Sequence, residues 1–237
     1  IDPAKYYKNN LAETIMLLDA LLDDSKKRDS KPIPIVFSST CATYGLPLET
    51  EIPIPETTLQ NPINPYGRSK LMIEKILIDY HKAYKLPVSI LRYFNAAGAD
   101  IKGDIGEDHN PETHLIPLVL EALFNKDGFI KVNGIDYPTF DGTCIRDYVH
   151  VSDLARAHVL ALNKIIHDRS LSIYNLGNGK GYSIMEVIDT AKKVTGKEIK
   201  ILKSKRRQGD PPVLIASPKK AKRELLWKPE FSDLESI

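Results

Sequence analysis

At 237 residues, 42% hydrophobic and 27% charged, the chain is long enough to bury a sizeable core and has the composition of a soluble enzyme. Lysine and arginine (33) nearly balance aspartate and glutamate (31), and a net charge of +2 argues against nucleic acid or a membrane surface as partner; no apolar run is long enough to span a bilayer. Cys41 and Cys144 are the only cysteines, which argues against a disulfide scaffold and a cysteine-based metal site and fits a reducing cytoplasm, and the histidines show no H-E-x-x-H spacing, so no metal is expected.

The chain does not open with methionine and shows no signal peptide; Ile1-Asp2-Pro3 runs into a helix within one turn, which reads as a piece whose start lies upstream. Leu11, Ile15, Leu18, Leu21 and Leu22 at helical spacing predict a long helix from Pro3 to near Asp23, with Asn9 and Asn10 early in it. Residues 33–37 read as a buried strand running into the hydroxyl cluster Ser38-Ser39-Thr40, at the carboxyl edge where open α/β sheets place ligands. A proline-rich loop then leads to a second helix reaching residue 85, and residues 88–94 form a strand ending in Tyr93-Phe94-Asn95. Strand, helix and strand in this order predict an α/β fold, with a Rossmann-type parallel sheet over residues 1–99 that carries helices on both faces.

Beyond a polar loop at 100–110 the chain reads as a smaller α/β region, residues 100–237, some of whose elements return to the first sheet. It comprises a helix at 115–124, a strand at 129–133, a turn at Asp141-Gly142, a helix capped by Ser152, a strand at 173–176, a helix at 183–194, a strand at 199–202 and a helix near 219–223. Gly177-Asn178-Gly179-Lys180-Gly181 resembles a phosphate-binding turn, but Tyr182 stands where the third glycine is required, and tight-turn packing is the expectation. Lys203, Lys205, Arg206 and Arg207 are either a solvated run or, with Asp210, a pocket wall.

The chemistry centres on Tyr66-Gly67-Arg68-Ser69-Lys70. Four residues make about one helical turn, so Tyr66 and Lys70 project from one face, and an ammonium close to a phenol favours phenolate and turns it into a usable base. The bare spacing is equally that of a buried tyrosine beside a solvated lysine, so the surroundings must decide. Thr40, at the end of a neighbouring strand, offers a hydroxyl that can share a substrate's proton.

Thr40, Tyr66 and Lys70 form the Ser/Thr-Tyr-Lys set of the short-chain dehydrogenase/reductase superfamily. Seven ordered stretches narrow the likeness: Phe37 to Thr40, Asn64 to Lys70, Leu91 to Asn95, Asp136 to Thr139, Asp141 to Thr143, Arg146 to Val151 and Tyr174 to Gly177. Together they resemble the UDP-glucose 4-epimerases, essentially end to end. That resemblance implies a tightly held NAD that takes hydride from C4 of the sugar while the tyrosine takes the hydroxyl proton; the 4-keto sugar swings over and hydride returns to its other face. By motif, Tyr66 is then the base, Lys70 lowers its pKa and binds the nicotinamide ribose, and Thr40 hydrogen-bonds the sugar O4. Asn9, Ser38, Ser39 and Tyr93 fall where that family contacts NAD, and Asn95, His114, Leu115, Arg146, Arg207 and Asp210 where it holds UDP-sugar. A homodimer through the two long helices is also implied, and cytoplasmic residence with it.

Departures accompany the likeness. Thr40 replaces the commoner serine, His114 stands where some members have asparagine, Asn133 where an aromatic often flanks the uracil, and Leu214 leaves acceptance of N-acetyl sugars open. The family's G-x-x-G-x-x-G turn for the NAD pyrophosphate has no counterpart in these residues, and a piece after Trp227 also seems absent, so weak or no NAD binding is expected of these residues alone. A nucleotide-sugar 4,6-dehydratase needs an acidic pair after its threonine, where Cys41-Ala42 stand; a free reductase leaves the UDP-sugar motifs without purpose; an inactive remnant or sugar-nucleotide binding module is the remaining reading.

Overall fold

The computed structural model describes residues 2–207 and 209–237. Asp2 caps the first helix by accepting from the Ala4 amide, and α1 (Pro3–Tyr6) continues without a break through a π-helical turn (Tyr7–Ala12) into α2 (Glu13–Lys27). The rod outruns the expected end near Asp23 by a turn. Asp23 and Asp24 pair with Lys26 and Arg28 at i+3 and i+4, and the basic residues of the last turn suit the negative end of the helix dipole.

Strand β1 (Ile35–Thr40) starts two residues later than expected because Pro32 and Pro34 offer no amide to a ladder, and it carries the three hydroxyl residues within it. α3 (Pro65–Tyr84) is fixed at its start by the Asn64 side chain, which accepts from the Gly67 amide at 2.8 Å, and at its end by Lys85 in the left-handed conformation. β2 (Val88–Tyr93) is followed at once by β3 (Asn95–Ala97). Next come α4 (Leu115–Phe124), β4 (Phe129–Asn133), β5 (Ile145–Arg146), β6 (Tyr148–His150) and α5 (Val151–Asp168). His150, not Ser152, caps α5: its Nδ1 accepts from the Ser152 amide at 3.1 Å, because β6 delivers the chain to the helix two residues earlier than the hydroxyl would allow. The chain ends with β7 (Leu171–Leu176), β8 (Tyr182–Ser183), α6 (Ile184–Thr195), β9 (Lys200–Ser204), β10 (Val213–Leu214) and α7 (Lys219–Glu224). Ser183 and Glu186 form a reciprocal capping box at the head of α6.

The main sheet is parallel in the order β1-β2-β7, so a strand from beyond residue 100 returns to it. Side chains alternate across β2, and the alternation builds two cores. Val88 and Ile90 join Leu18 of α2 and Ile73 and Leu77 of α3 on one face. Leu91 joins Leu154, Ala157 and Ala161 of α5, Tyr174, Leu176 and the fully buried Trp227 on the other. The Rossmann-type arrangement with helices on both faces is thus present. The smaller region holds the parallel pair β4-β9 under α4 and α6, a β10-β5-β8 sheet, and the β3-β6 pair that joins it to the end of β2.

The glycine turn after β7 packs tightly, as expected. A Cβ on Gly177 would lie 2.4 Å from Ala216 Cβ and 2.5 Å from Asp147 Oδ2. The buried Asp147 carboxylate accepts from the amides of Asn178, Gly179 and Ala216, stapling this turn to the chain after β10.

Candidate active site

Parallel pairing sets Thr40 opposite Tyr93, so the last residues of β1 and β2 meet at the carboxyl edge of the sheet. Thr40 is 7% exposed, and its hydroxyl accepts from the Ala42 amide at 3.2 Å as the chain turns into a short 3-10 segment, Cys41–Thr43. Gly67 lets α3 lie against that segment, since a Cβ there would come within 2.4 Å of the Ala42 carbonyl oxygen. This contact brings Tyr66, in the first turn of α3, beside Thr40. Tyr6 of α1 packs against Tyr66, with ring centroids 5.7 Å apart.

Lys70, one turn on, donates to the Ser38 carbonyl at 2.9 Å; its ammonium lies 4.9 Å from the Phe37 ring centroid and 5.9 Å from that of Tyr66. Burial lowers its pKa. The expected direction for Tyr66 is corrected here. Burial raises its pKa and the nearby Thr40 hydroxyl opposes that, while Lys70 is held on the Ser38 carbonyl.

The expected cofactor contacts divide. Ser38 bonds to Nε2 of His158 at 3.0 Å; Nδ1 of that ring donates to the Leu154 carbonyl, so Nε2 accepts and the serine donates. Ser39, 1% exposed, turns its hydroxyl into the core and donates to Glu74, so its side chain does not face the open edge. Asn9 lies exposed on the π-helical turn, whereas its neighbour Asn10 donates to Ser69 Oγ at 3.0 Å and ties that turn to α3. π-Helical turns inside α-helices recur at functional sites.

The expected substrate contacts converge better. Asn95, His114, Leu115, Arg146, Arg207 and Asp210 all line one cleft of about 270 Å³ between β3, α4, β4 and β5. Arg146, nearly buried, pairs with Asp210 at 2.5 Å and donates to the Ile145 carbonyl. Asn133, on the same wall, lies 3.1 Å from both Nε and Nη2 of Arg207, its amide oxygen being the end that can accept. Asn95 Oδ1 is buried in this wall without a hydrogen-bond partner among the described residues, which an incoming donor would correct. The basic residues 203–207 are resolved in favour of the pocket wall only at Arg207; Arg206 pairs with Asp136 outside the cleft lining.

Sequence reasoning missed Tyr6, Asn10, His158 and the buried pair Glu74–Arg92. The two carboxylate oxygens of Glu74 take bonds from Ser39, Gln60 and Arg92, and Arg92 also donates to Tyr44 Oη at 2.9 Å. The only available signals were charged residues on the apolar faces of a helix and a strand.

The family model described as the NAD dependent epimerase/dehydratase family matches residues 1–177. UDP-glucose 4-epimerase of Streptococcus mutans serotype c is 50% identical over 235 residues, 99% of this chain and 68% of the relative. The crystal structure of UDP-glucose 4-epimerase from Brucella ovis in complex with NAD superposes with a TM-score of 0.91 at 48% identity, over 100% of this chain and 70% of that one. The enzyme from Bifidobacterium longum in complex with NAD+ and UDP gives 0.88 at 40% identity, over 99% of this chain and 68% of that one. The folded Thr40–Tyr66–Lys70 edge, the arginine-lined cleft beside it and these likenesses lead to one conclusion: the chain belongs to the UDP-glucose 4-epimerases of the NAD dependent epimerase/dehydratase family.

Proposed function

We propose that this chain carries the catalytic edge and the sugar-nucleotide cleft of an NAD-dependent 4-epimerase acting on UDP-hexoses. The observation that carries the reading is the meeting, at one sheet edge, of Thr40, Tyr66, Lys70 and Tyr93 with a cleft holding Arg146 and an Asn95 acceptor that has no partner among the described residues. Tyr66 Oη takes the proton of the sugar C4 hydroxyl and later returns it, and Thr40 shares that proton's hydrogen bond. Burial raises the pKa of Tyr66, and positive charge brought close to the phenol favours the phenolate that acts as the base. Arg146 and Arg207 present planar donors that suit a diphosphate, and Asn95, His114, Leu115 and Asp210 complete the cleft.

The edge suits the nicotinamide-ribose half of NAD: among the described residues Lys70 has one protein acceptor for its three donors, Tyr93 and Ser38 stand at the same strand ends, and Asn9 is read as a further contact. NAD, when bound, supplies the hydride acceptor and donor that make the epimerisation redox-neutral. These 237 residues contain no G-x-x-G-x-x-G turn for the pyrophosphate, so taken alone they are proposed to hold NAD weakly. Residues 1–99 are read as the NAD-binding part and 100–237 as mainly the sugar-nucleotide part. Exposed Met16 and Leu17 of α2 and Met72 of α3 are read as a homodimer face, testable by the sedimentation of the parent protein. No helix among the described residues is long and apolar enough to cross a membrane; cytoplasmic residence is part of the proposal.

The decisive assay incubates the parent protein with UDP-galactose and NAD and resolves the products. UDP-glucose supports the reading. A 4-keto-6-deoxy product would point to a dehydratase, a reading disfavoured by Cys41, whose thiol burial pushes up to about 11. No product would leave a binding module.

A further inference from the structure

The polar loop before α4 gathers four groups that the epimerase chemistry does not use together. Glu107, His109, Glu112 and His114 each offer one ligand atom, and the four atoms lie within 4.8 Å of one another. His109 Nδ1 is 2.9 Å from Glu107 Oε1 and 3.9 Å from Glu112 Oε2, and His114 Nδ1 is 3.0 Å from Glu112 Oε1 and also contacts Glu107. The two rings stand 5.1 Å apart, and the Thr113 and His114 amides pin Glu112 Oε1 in place.

Two carboxylates thus converge, and among the described residues neither is paired with a lysine or arginine. Each Nδ1 faces carboxylate oxygens of the same cluster, so the four donor atoms are turned toward one another. One divalent ion placed among them would neutralise the two carboxylates and accept both ring nitrogens. Two imidazoles with two carboxylates form a donor set suited to zinc.

We propose that Glu107, His109, Glu112 and His114 bind one divalent transition-metal ion, zinc by donor type, as a clamp holding the 100–114 loop at the mouth of the sugar-nucleotide cleft. With four protein ligands the site is closed, so its role is structural rather than catalytic. It ties the loop to His114 and Leu115, which line the cleft at the head of α4. The spacing E-x-H-x-x-E-x-H is not a familiar zinc pattern, and it is the fold of the loop that converges the ligands, so no metal was expected from the sequence.

The test is equilibrium dialysis of the untagged, chelator-stripped full chain against Zn2+ alone, with the visible spectrum of the Co2+ form as a second reading. One ion per chain is expected, with a four-coordinate Co2+ band. Glu107→Gln and His109→Ala should each weaken binding about tenfold or more, while His167→Ala, at an exposed histidine on α5, should leave it unchanged. Absence of saturable binding, or binding that survives the Glu107→Gln/His109→Ala double variant, would overturn the proposal.

Discussion

Replacing Glu74 by glutamine removes the only carboxylate paired with the buried Arg92 among the described residues. The two side chains are 1% and 4% exposed and meet at 2.6 Å, with Arg92 Nε adding bonds of 3.0 and 3.1 Å. Arg92 cannot shed its charge, and its remaining partners, Tyr44 Oη and the Glu56 carbonyl, are neutral acceptors. Breaking a buried pair by removing one partner costs about 3–5 kcal/mol. At this chain length each kcal/mol lowers Tm by about 2–4 °C, so a fall of roughly 6–20 °C is expected. Arg92→Met should cost a similar amount, because it leaves Glu74 buried without its cation. The double variant should cost clearly less than the sum, with a coupling energy of about 2 kcal/mol or more. Urea denaturation followed through the fluorescence of Trp227, the sole and fully buried tryptophan, measures all three. A loss under about 1 kcal/mol for Glu74→Gln, or strict additivity, would refute the reasoning.

Tyr66→Phe in the NAD-loaded parent protein should lower kcat by about 10²- to 10⁴-fold with KM largely kept, since only the proton-transfer group is lost; near-normal turnover sinks the assignment. Gly67→Ala pushes a methyl into the Ala42 carbonyl and should destabilise by about 1–3 kcal/mol while displacing Tyr66 from Thr40, which a joint fall in Tm and kcat would register. Burial pushes Asp147 up to about 6, so the folded chain binds this proton more tightly than the unfolded chain; its contribution to stability is full below about pH 4 and is lost as pH rises through about 6. Asp147→Asn should remove that part of the stability-against-pH slope, and an unchanged slope in urea titrations between those values would count against the assignment. Trp227→Ala empties a fully buried site and removes the bond that Nε1 gives the Asp153 carbonyl at 2.9 Å, a loss of about 3–5 kcal/mol that thermal melts by circular dichroism would reveal or deny.

What the sequence by itself determined was everything carried by local pattern. Period-3.6 apolar spacing located α3, α4 and α6, and β-branched runs located β2 and β4, because each element must bury one stripe or face of its own residues. The seven ordered motifs led to the family, since their spacing holds the reacting groups on adjoining elements. Only the tertiary structure decided what depends on residues distant in sequence. It turned Ser39 away from the sheet edge toward Glu74, held Lys70 on the Ser38 carbonyl instead of on the phenol, and made His150 rather than Ser152 the helix cap. It also assembled the Arg146–Asp210 wall and the Glu107–His114 cluster. The direction of the Tyr66 shift belongs to the same class, because desolvation comes from every element packed around a group, and no stretch of sequence near Tyr66 contains that information.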